Sequence, residues 1–175
     1  HHRRFQRFEA SWRQLHMLVC QPRYGGVSIV RVMSVNWTDL AKDIARAADF
    51  DQSKLFNHIY SEEFDMPGGQ PFGLLIGDYE ISSSINPEFG TDDPATLEGI
   101  ASVAAAAFSP FICSAAPALL DVKKFAELDR EIDMTYLKEL EGNLKWRRLR
   151  KAPDTRFVGV TCPRVLVRAP YKSND

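Results

Sequence analysis

Long apolar runs are missing from this sequence. The longest stretch with little charge, Gly99 to Leu120, is rich in alanine and is interrupted by Ser109, Pro110, Ser114 and Pro117. A helix that crosses a membrane needs about 20 consecutive apolar residues. The sequence therefore predicts no membrane insertion. Because residues 1–5 do not open an apolar secretion segment either, we expect the protein in the cytoplasm.

Cysteine is scarce, and its spacing excludes two classes of site. Cys20, Cys113 and Cys162 are odd in number, far apart and in no CxxC arrangement. A disulfide framework needs paired cysteines, and a structural zinc site needs clustered ligands. Each cysteine lies in an apolar stretch, so we expect three buried and unreactive thiols.

An excess of charge of one sign is also absent, since the formal net charge is −1. No global field attracts nucleic acid or anionic lipid. With 45% hydrophobic and 26% charged residues, the composition is typical of a soluble globular protein. A chain of 175 residues fits one compact domain, and we expect that domain to span residues 1–175.

Motifs of catalysis and cofactor binding are missing as well. Gly68, Gly69, Gly73 and Gly77 surround an apolar run, but neither GxGxxG nor GxxxxGK[ST] is present. We interpret the glycine pair as a turn, and Gly73 and Gly77 as points of close approach. His16 and His58 have no HExxH neighbours, and the serines at 82–84 form no GxSxG elbow. The sequence therefore predicts no catalytic site, no cofactor and no metal.

Two charged clusters leave alternatives open. Asp78 and Glu80 follow an apolar strand, at the edge where parallel α/β folds bind ligands, so a small α/β enzyme could use them as an acid/base pair. The basic segment Lys145–Lys151 could bind nucleic acid, or it could be a solvated helix end. It could also dock a protein, because Trp and Arg are frequent in interface hot spots. The candidate interface residues are Trp146, Arg147, Arg148 and Arg150.

The spacing of apolar residues predicts the order of helices and strands. Phe5, Phe8, Trp12 and Leu15 recur at helical intervals and predict a first helix. Further helices are predicted after Asn36 or Thr38, after Asp51 or Ser53, around 97–107 and over 125–150 with a break at Gly142. Strands are predicted at 27–35, 72–79, 110–116 and 157–161.

Strands that alternate with helices indicate an α/β fold. We expect a mainly parallel or mixed sheet with helices on both faces and right-handed crossovers. The run Phe72 to Ile76 is predicted to be a central strand covered on both faces, because it is almost continuously apolar. The alanine-rich helix that contains residues 103–107 should pack closely against its neighbours, since its side chains are small.

Several strings along the chain resemble the N-terminal part of the large subunit of the type VI secretion contractile sheath. They are His1-His2-x-x-Phe5-Gln6-x-Phe8-Glu9-x-x-Trp12-Arg13-x-Leu15, Leu55-Phe56-x-x-Ile59-Tyr60-x-x-Glu63-Phe64 and Gly68-Gly69-Gln70-Pro71-Phe72-Gly73-x-Leu75-Ile76-Gly77-Asp78-Tyr79. Further on come Ile100-Ala101-x-Val103-Ala104-Ala105-Ala106-Ala107, Pro110-Phe111-Ile112, Trp146-x-x-Leu149-Arg150, Arg156-Phe157-Val158-Gly159 and Pro163-Arg164-x-Leu166-x-Arg168-x-Pro170-Tyr171. Each string is weak alone, but together they span almost the whole chain in order.

The resemblance implies a mechanical role. A large sheath subunit pairs with a small sheath subunit and stacks with neighbouring sheath subunits into a tube around an inner tube protein. Contraction of the tube expels the inner tube from the bacterium. The resemblance also implies a contractile tail-sheath-like fold, no cofactor and no catalytic site. Members of this family are far longer, so we expect this chain to be a fragment of a large subunit that acts in the bacterial cytoplasm.

Overall fold

A computed structural model of the chain describes residues 2–20, 29–86, 88–128, 144–163 and 165. The described residues fall into two compact units. The first unit contains residues 2–20, 29–34 and 165, and the second unit contains the described part of 35–163.

The first unit contains the predicted first helix, α1, which spans Arg3–Cys20. Its apolar residues lie at helical spacing, and the rings of Phe8 and Trp12 meet edge to face with centroids 5.9 Å apart. These side chains are largely exposed, at 58% for Phe5, 60% for Phe8 and 55% for Trp12. The helix is confirmed, and its apolar side is uncovered in this unit.

The strand predicted at 27–35 is wrong where the structure describes it. Residues 29–35 form no strand, and both Ile29 and Val32 are 68% exposed. Residues 27 and 28 lie outside the described residues. A preference of β-branched residues for strands mainly reflects how well they fit a pleated, half-buried surface. The side chains of this segment are largely exposed, so the composition alone does not produce a strand.

The second unit begins with the two predicted helical segments. Helix α2 spans Trp37–Arg46, and Asn36 caps it by accepting a hydrogen bond from the Asp39 amide at 2.8 Å. Helix α3, Lys54–Phe56, is capped in the same way by Ser53 and continues as a π-helix over Asn57–Ser61. Of the predicted alternatives, the caps are therefore Asn36, not Thr38, and Ser53, not Asp51.

In the described part of the chain, the sheet has three parallel strands in the order β1-β2-β3. They are β1 (Leu75–Ile81), β2 (Phe111–Ala115) and β3 (Val158–Thr161). Parallel strands joined through helical segments confirm the α/β class and the predicted third and fourth strands. Among the described strands, β1 lies at an edge and Ile76 is 62% exposed, so the prediction of a central strand covered on both faces is wrong. A short apolar run does not distinguish an edge strand from a central one.

Helix α4, Asp93–Ala106, lies in the core of the second unit. Its residues Leu97, Ile100, Val103 and Ala104 are each at most 1% exposed. A Cβ atom on Gly99 would lie 2.3 Å from Cγ2 of Ile44, so glycine permits the close contact between α4 and α2. Close packing of the alanine-rich helix is confirmed.

The predicted helix at 125–150 is described only in part. Phe125–Glu127 form a short 3-10 turn, residues 129–143 with Gly142 lie outside the described residues, and helix α5 spans Leu144–Leu149. A 3-10 turn over Pro153–Phe157 then leads directly into β3. Helix α5 and β3 are thus close in sequence, and they bring the basic segment to the side of the sheet.

Candidate functional site

Asp78 and Glu80 do not follow β1 but lie within it, since the strand extends to Ile81. Asp78 is exposed, and Tyr79 between the two carboxylates donates a hydrogen bond to the Val35 carbonyl at 2.7 Å. Burial, and then the charge of Asp78, raises the pKa of Tyr79, so its hydroxyl stays protonated. Asp78 therefore lies in the middle of β1, while Glu80 lies one residue before its end, so the two carboxylates do not stand together beyond the carboxyl edge, where the enzyme hypothesis placed them.

The glycine-rich stretch around β1 has the geometry of a turn. Gly68 has φ +85°, a left-handed conformation that glycine adopts without strain, and the Gly69 amide donates to the Met66 carbonyl at 2.9 Å. Gly77 lies against the ring of Phe111, as a point of close approach should. Gly73 has open space around it, so the same interpretation is wrong for that residue.

The described histidines and acidic residues form no metal site. Within residues 2–20, 29–86, 88–128 and 144–163, no three His, Cys, Asp or Glu side chains could hold an ion together. His58 Nδ1 lies 2.9 Å from Glu62 Oε2 on the surface of the π-helix, and His16 is exposed on α1.

The three cysteines differ in their surroundings. Cys113 is buried in β2, and burial, followed by the charge of Asp93, raises the pKa of its thiol to about 12. Cys20 and Cys162 are exposed, so the prediction of three buried thiols is wrong for both. Cys20 ends α1 and Cys162 follows β3, and apolar neighbours in sequence do not cover a residue at the end of an element.

Asp93 is a buried carboxylate that the sequence analysis did not single out. It is completely inaccessible at the start of α4, and it accepts five hydrogen bonds. Trp37 Nε1 at 2.7 Å and Thr91 Oγ1 at 2.8 Å donate to Oδ1, while the Ser82 amide at 2.9 Å, Ser82 Oγ at 3.1 Å and Asn86 Nδ2 at 2.8 Å donate to Oδ2.

These five bonds assign Asp93 a structural role. A carboxylate has about four lone-pair positions, so its two oxygens have no capacity left for a substrate. The negative charge also lies at the N-terminus of α4, where the helix dipole favours it. The signal in the sequence was Asp92-Asp93-Pro94, a typical helix start, but the donors Trp37, Ser82 and Asn86 are not visible from that string.

The basic segment is anchored to the core by helix α5. Leu149 is 3% exposed, and Trp146 is half-buried against the core. Lys145 forms an ion pair with Asp92, the cap of α4. Arg148 and Arg150 are exposed. Arg147 is half-buried, and its Nε atom is buried without a hydrogen-bond partner among the described residues.

A groove of about 390 Å³ runs between α5 and β3. Its walls include the apolar side chains Leu97, Trp146, Leu149, Val158 and Val160, while Arg150 and Arg156 also line it. We call this the basic groove. It combines an apolar interior with cationic side chains, and Asp78 is not among the residues that line it.

A row of aromatic rings reaches the basic groove from the π-helix. Successive ring centroids are 4.7 Å apart for Phe56 and Tyr60, 5.1 Å for Tyr60 and Phe64, 6.3 Å for Phe64 and Phe108, and 6.2 Å for Phe108 and Phe157. The row ends where the Arg156 guanidinium lies 5.5 Å from the Phe157 ring centre.

Phe108 is the most exposed ring of this aromatic row. It is 72% exposed, and its backbone has φ +50°. That left-handed conformation is unfavourable for a residue with a Cβ atom. The turn after α4 thus holds a large apolar ring in water.

None of the helices in the described part of the chain is long and apolar enough to cross a membrane.

The comparisons with known proteins agree with one another. Residues 1–175 match the family model described as VipB: EvpB/VC_A0108, tail sheath N-terminal domain. The chain is also 34% identical over 173 residues to the type VI secretion system sheath protein TssC1 of Pseudomonas aeruginosa strain PAO1. That alignment covers 98% of this chain and 34% of the relative, so the chain spans about a third of the length of the curated protein it matches. By both comparisons, the chain belongs to the tail sheath N-terminal domain family.

Proposed function

We propose that this chain is part of the large subunit of a type VI secretion contractile sheath. Its role is structural: the large subunit pairs with a small sheath subunit, and the pairs stack around an inner tube protein that contraction expels. The observation that carries the proposal is the match of all 175 residues to a tail sheath domain, together with 34% identity to a sheath protein.

The proposed protein is not an enzyme and needs no cofactor. Asp78 and Glu80 lie within an edge strand of the described sheet, and both oxygens of the buried Asp93 are occupied by donors. Neither a catalytic pair nor a nucleic-acid contact is part of this proposal. The protein acts in the bacterial cytoplasm, where residues 1–175 form one tail-sheath-like α/β domain of a longer chain, with helices on both faces of the sheet.

Assembly contacts in this proposal include the basic segment. Trp146, Arg147, Arg148 and Arg150 contact a neighbouring subunit. Arg148 and Arg150 are exposed beside Leu149, which anchors the helix, and Trp146 and Arg147 are half-buried next to them. Arginine is well suited to such contacts, since its planar group forms paired hydrogen bonds with carboxylates.

The test is co-expression of the full-length protein with the small sheath subunit encoded beside it. We expect the two to co-purify and to form tubes that are visible by electron microscopy. The 175-residue chain expressed alone serves as the comparison, and we expect it to form no ordered tubes. Failure of the full-length protein to associate with the small subunit would contradict the sheath function. A specific turnover that Asp78→Asn abolishes would contradict the structural role.

A further inference from the structure

We propose that the basic groove binds an acidic, apolar peptide segment of a neighbouring sheath subunit. This inference rests on the proposed sheath function, and it adds the chemistry of the partner and the place where the partner binds. It depends on three features of the second unit: the shape of the groove, the charge of its rim and the exposed ring beside it.

The interior of the groove is apolar and held in place by the core. Leu97 is 1% exposed and Leu149 is 3% exposed, so the residues at its base are fixed by packing. Val158 and Val160 are two positions apart on β3 and therefore face the same side of the strand. A volume of about 390 Å³ is enough to hold a few apolar side chains.

The rim of the groove carries a surplus of positive charge. Residues 144–157 contain six basic side chains and one acidic side chain, although the whole chain has a net charge of −1. Lys145 is paired with Asp92, and Asp154 accepts a hydrogen bond from Ser102 Oγ at 3.0 Å. Arg150 and Arg156 line the groove itself. Charge complementarity therefore requires carboxylates on the segment that binds here.

Arg147 is not among the residues that line the groove. Its Nε atom is buried, and no described residue accepts a hydrogen bond from it. An incoming segment cannot reach an inaccessible nitrogen. The carboxylates of the segment would therefore pair with Arg150 and Arg156, which line the groove.

The exposed ring beside the groove extends the same surface. Phe108 contacts Phe157, and Arg156 lies over that ring while also lining the groove. An aromatic ring next to arginine is typical of the central contacts of protein interfaces. The Phe108 ring is 72% exposed on a left-handed backbone, and it is linked to the groove through Phe157 and Arg156, of which Arg156 lines the groove.

The walls of the groove favour a peptide over a nucleic acid. Among the apolar residues that line it, Leu97, Leu149, Val158 and Val160 are aliphatic and Trp146 is aromatic, whereas bases bind best on several aromatic platforms within a broad positive surface. The carboxylates of Asp92 and Asp154 also interrupt the positive surface around α5.

The first experiment changes the charge of the rim in the full-length protein, co-expressed with the small sheath subunit. Arg150→Glu combined with Arg156→Glu should lower the amount of co-purified small subunit and of tubes by about tenfold or more. The matched control is Lys42→Glu combined with Lys54→Glu, which makes the same charge change at exposed positions outside the groove. We expect the control to assemble like the wild type, and circular dichroism should show that both double variants are folded.

The outcomes separate the two proposals. If the wild type does not bind the small subunit, the sheath function fails. If the wild type binds it and both double variants bind it equally well, only the groove proposal fails. If the Arg150→Glu/Arg156→Glu variant and the control both lose the same amount of co-purified small subunit, the groove proposal also fails. The effect would then come from net charge alone.

The second experiment tests the chemistry of the partner directly. Fluorescence anisotropy of the full-length protein would compare a short peptide of glutamate and leucine, the corresponding peptide of lysine and leucine, and an oligonucleotide of thymidine. We expect the glutamate peptide to bind. Added salt should weaken that binding, and so should the substitutions Arg150→Glu and Arg156→Glu. Tighter binding of the oligonucleotide, or equal binding of the two peptides, would overturn the proposal.

Discussion

Helices α1 and α4 both present apolar side chains at helical spacing, but their surroundings are opposite. Leu97, Ile100 and Val103 of α4 are inaccessible to solvent, whereas Phe8 and Trp12 of α1 are more than half exposed. The spacing of apolar residues therefore indicates that a helix forms, but it does not say what covers that helix. Whether a helix is buried depends on the elements that pack against it. In the second unit, β1, β2 and α2 pack against α4.

The largest expected difference between the two regions is in thiol reactivity. Cys20 at the end of α1 is exposed, while Cys113 lies in the core with its pKa raised to about 12. Only the thiolate reacts, so at mildly alkaline pH Cys113 should react roughly a thousandfold more slowly than an ordinary thiol. Ellman's reagent should titrate Cys20 and Cys162 at once and Cys113 only after denaturation. Rapid labelling of Cys113, identified with a Cys113→Ser variant, would contradict the buried core.

Asp93→Ala tests the polar anchor of α4. The substitution leaves the donors of five hydrogen bonds without their buried acceptor, so we expect the free energy of unfolding to fall by about 3–5 kcal/mol. Urea denaturation followed by circular dichroism measures it. Asp51→Ala, at an exposed carboxylate, is the control and should change little. A loss no greater than that of the control would show that the Asp93 network does not hold α4.

Ala104→Leu tests the packing of α4 with a smaller expected effect. Ala104 is fully buried, so a larger side chain should overpack the core and cost about 1–3 kcal/mol. Ala106→Leu is the matched comparison on the same helix. Because Ala106 is only half-buried, its cost should be lower. Unchanged melting temperatures for both variants would mean that α4 lies free on the surface.

Trp12→Ser should have the smallest effect on stability. The ring of Trp12 is 55% exposed, so its removal should change the unfolding free energy by about 0.5 kcal/mol or less. It should instead reduce binding of an apolar dye such as anilinonaphthalene sulfonate, because it removes exposed apolar surface. A destabilisation as large as that of Ala104→Leu would show that α1 is covered, and the contrast between the two helices would then disappear.

Local signals along the sequence predict much of the second unit. The caps at Asn36 and Ser53, the strands at 111–115 and 158–161, and the buried side of α4 all follow from short patterns. Each of these depends on residues only a few positions apart. The strand predicted at 27–35 and the central position predicted for residues 72–76 failed, because both depend on distant neighbours.

The contacts of the candidate site also depend on residues that are distant in sequence, so local patterns do not predict them. Asp93 and Trp37 are 56 positions apart in sequence, so no local pattern could pair them. The basic segment was visible as a string of charge, but its groove needs Leu97 from α4 and two valines from β3. The sequence predicted Trp146, Arg147, Arg148 and Arg150 as a candidate interface, and the fold shows that Trp146 and Arg150 line an apolar groove.

The π-helix at Asn57–Ser61 has a consequence for how this protein tolerates insertions and deletions. A turn of π-helix contains one residue more than a turn of α-helix, and each residue of a helix rotates the chain by about 100°. Loss of Ser61 would restore an ordinary helix and turn Phe64 away from its place beside Tyr60. The aromatic row would be interrupted there, although every aromatic residue remained in the chain. At this point the number of residues matters as much as their chemistry.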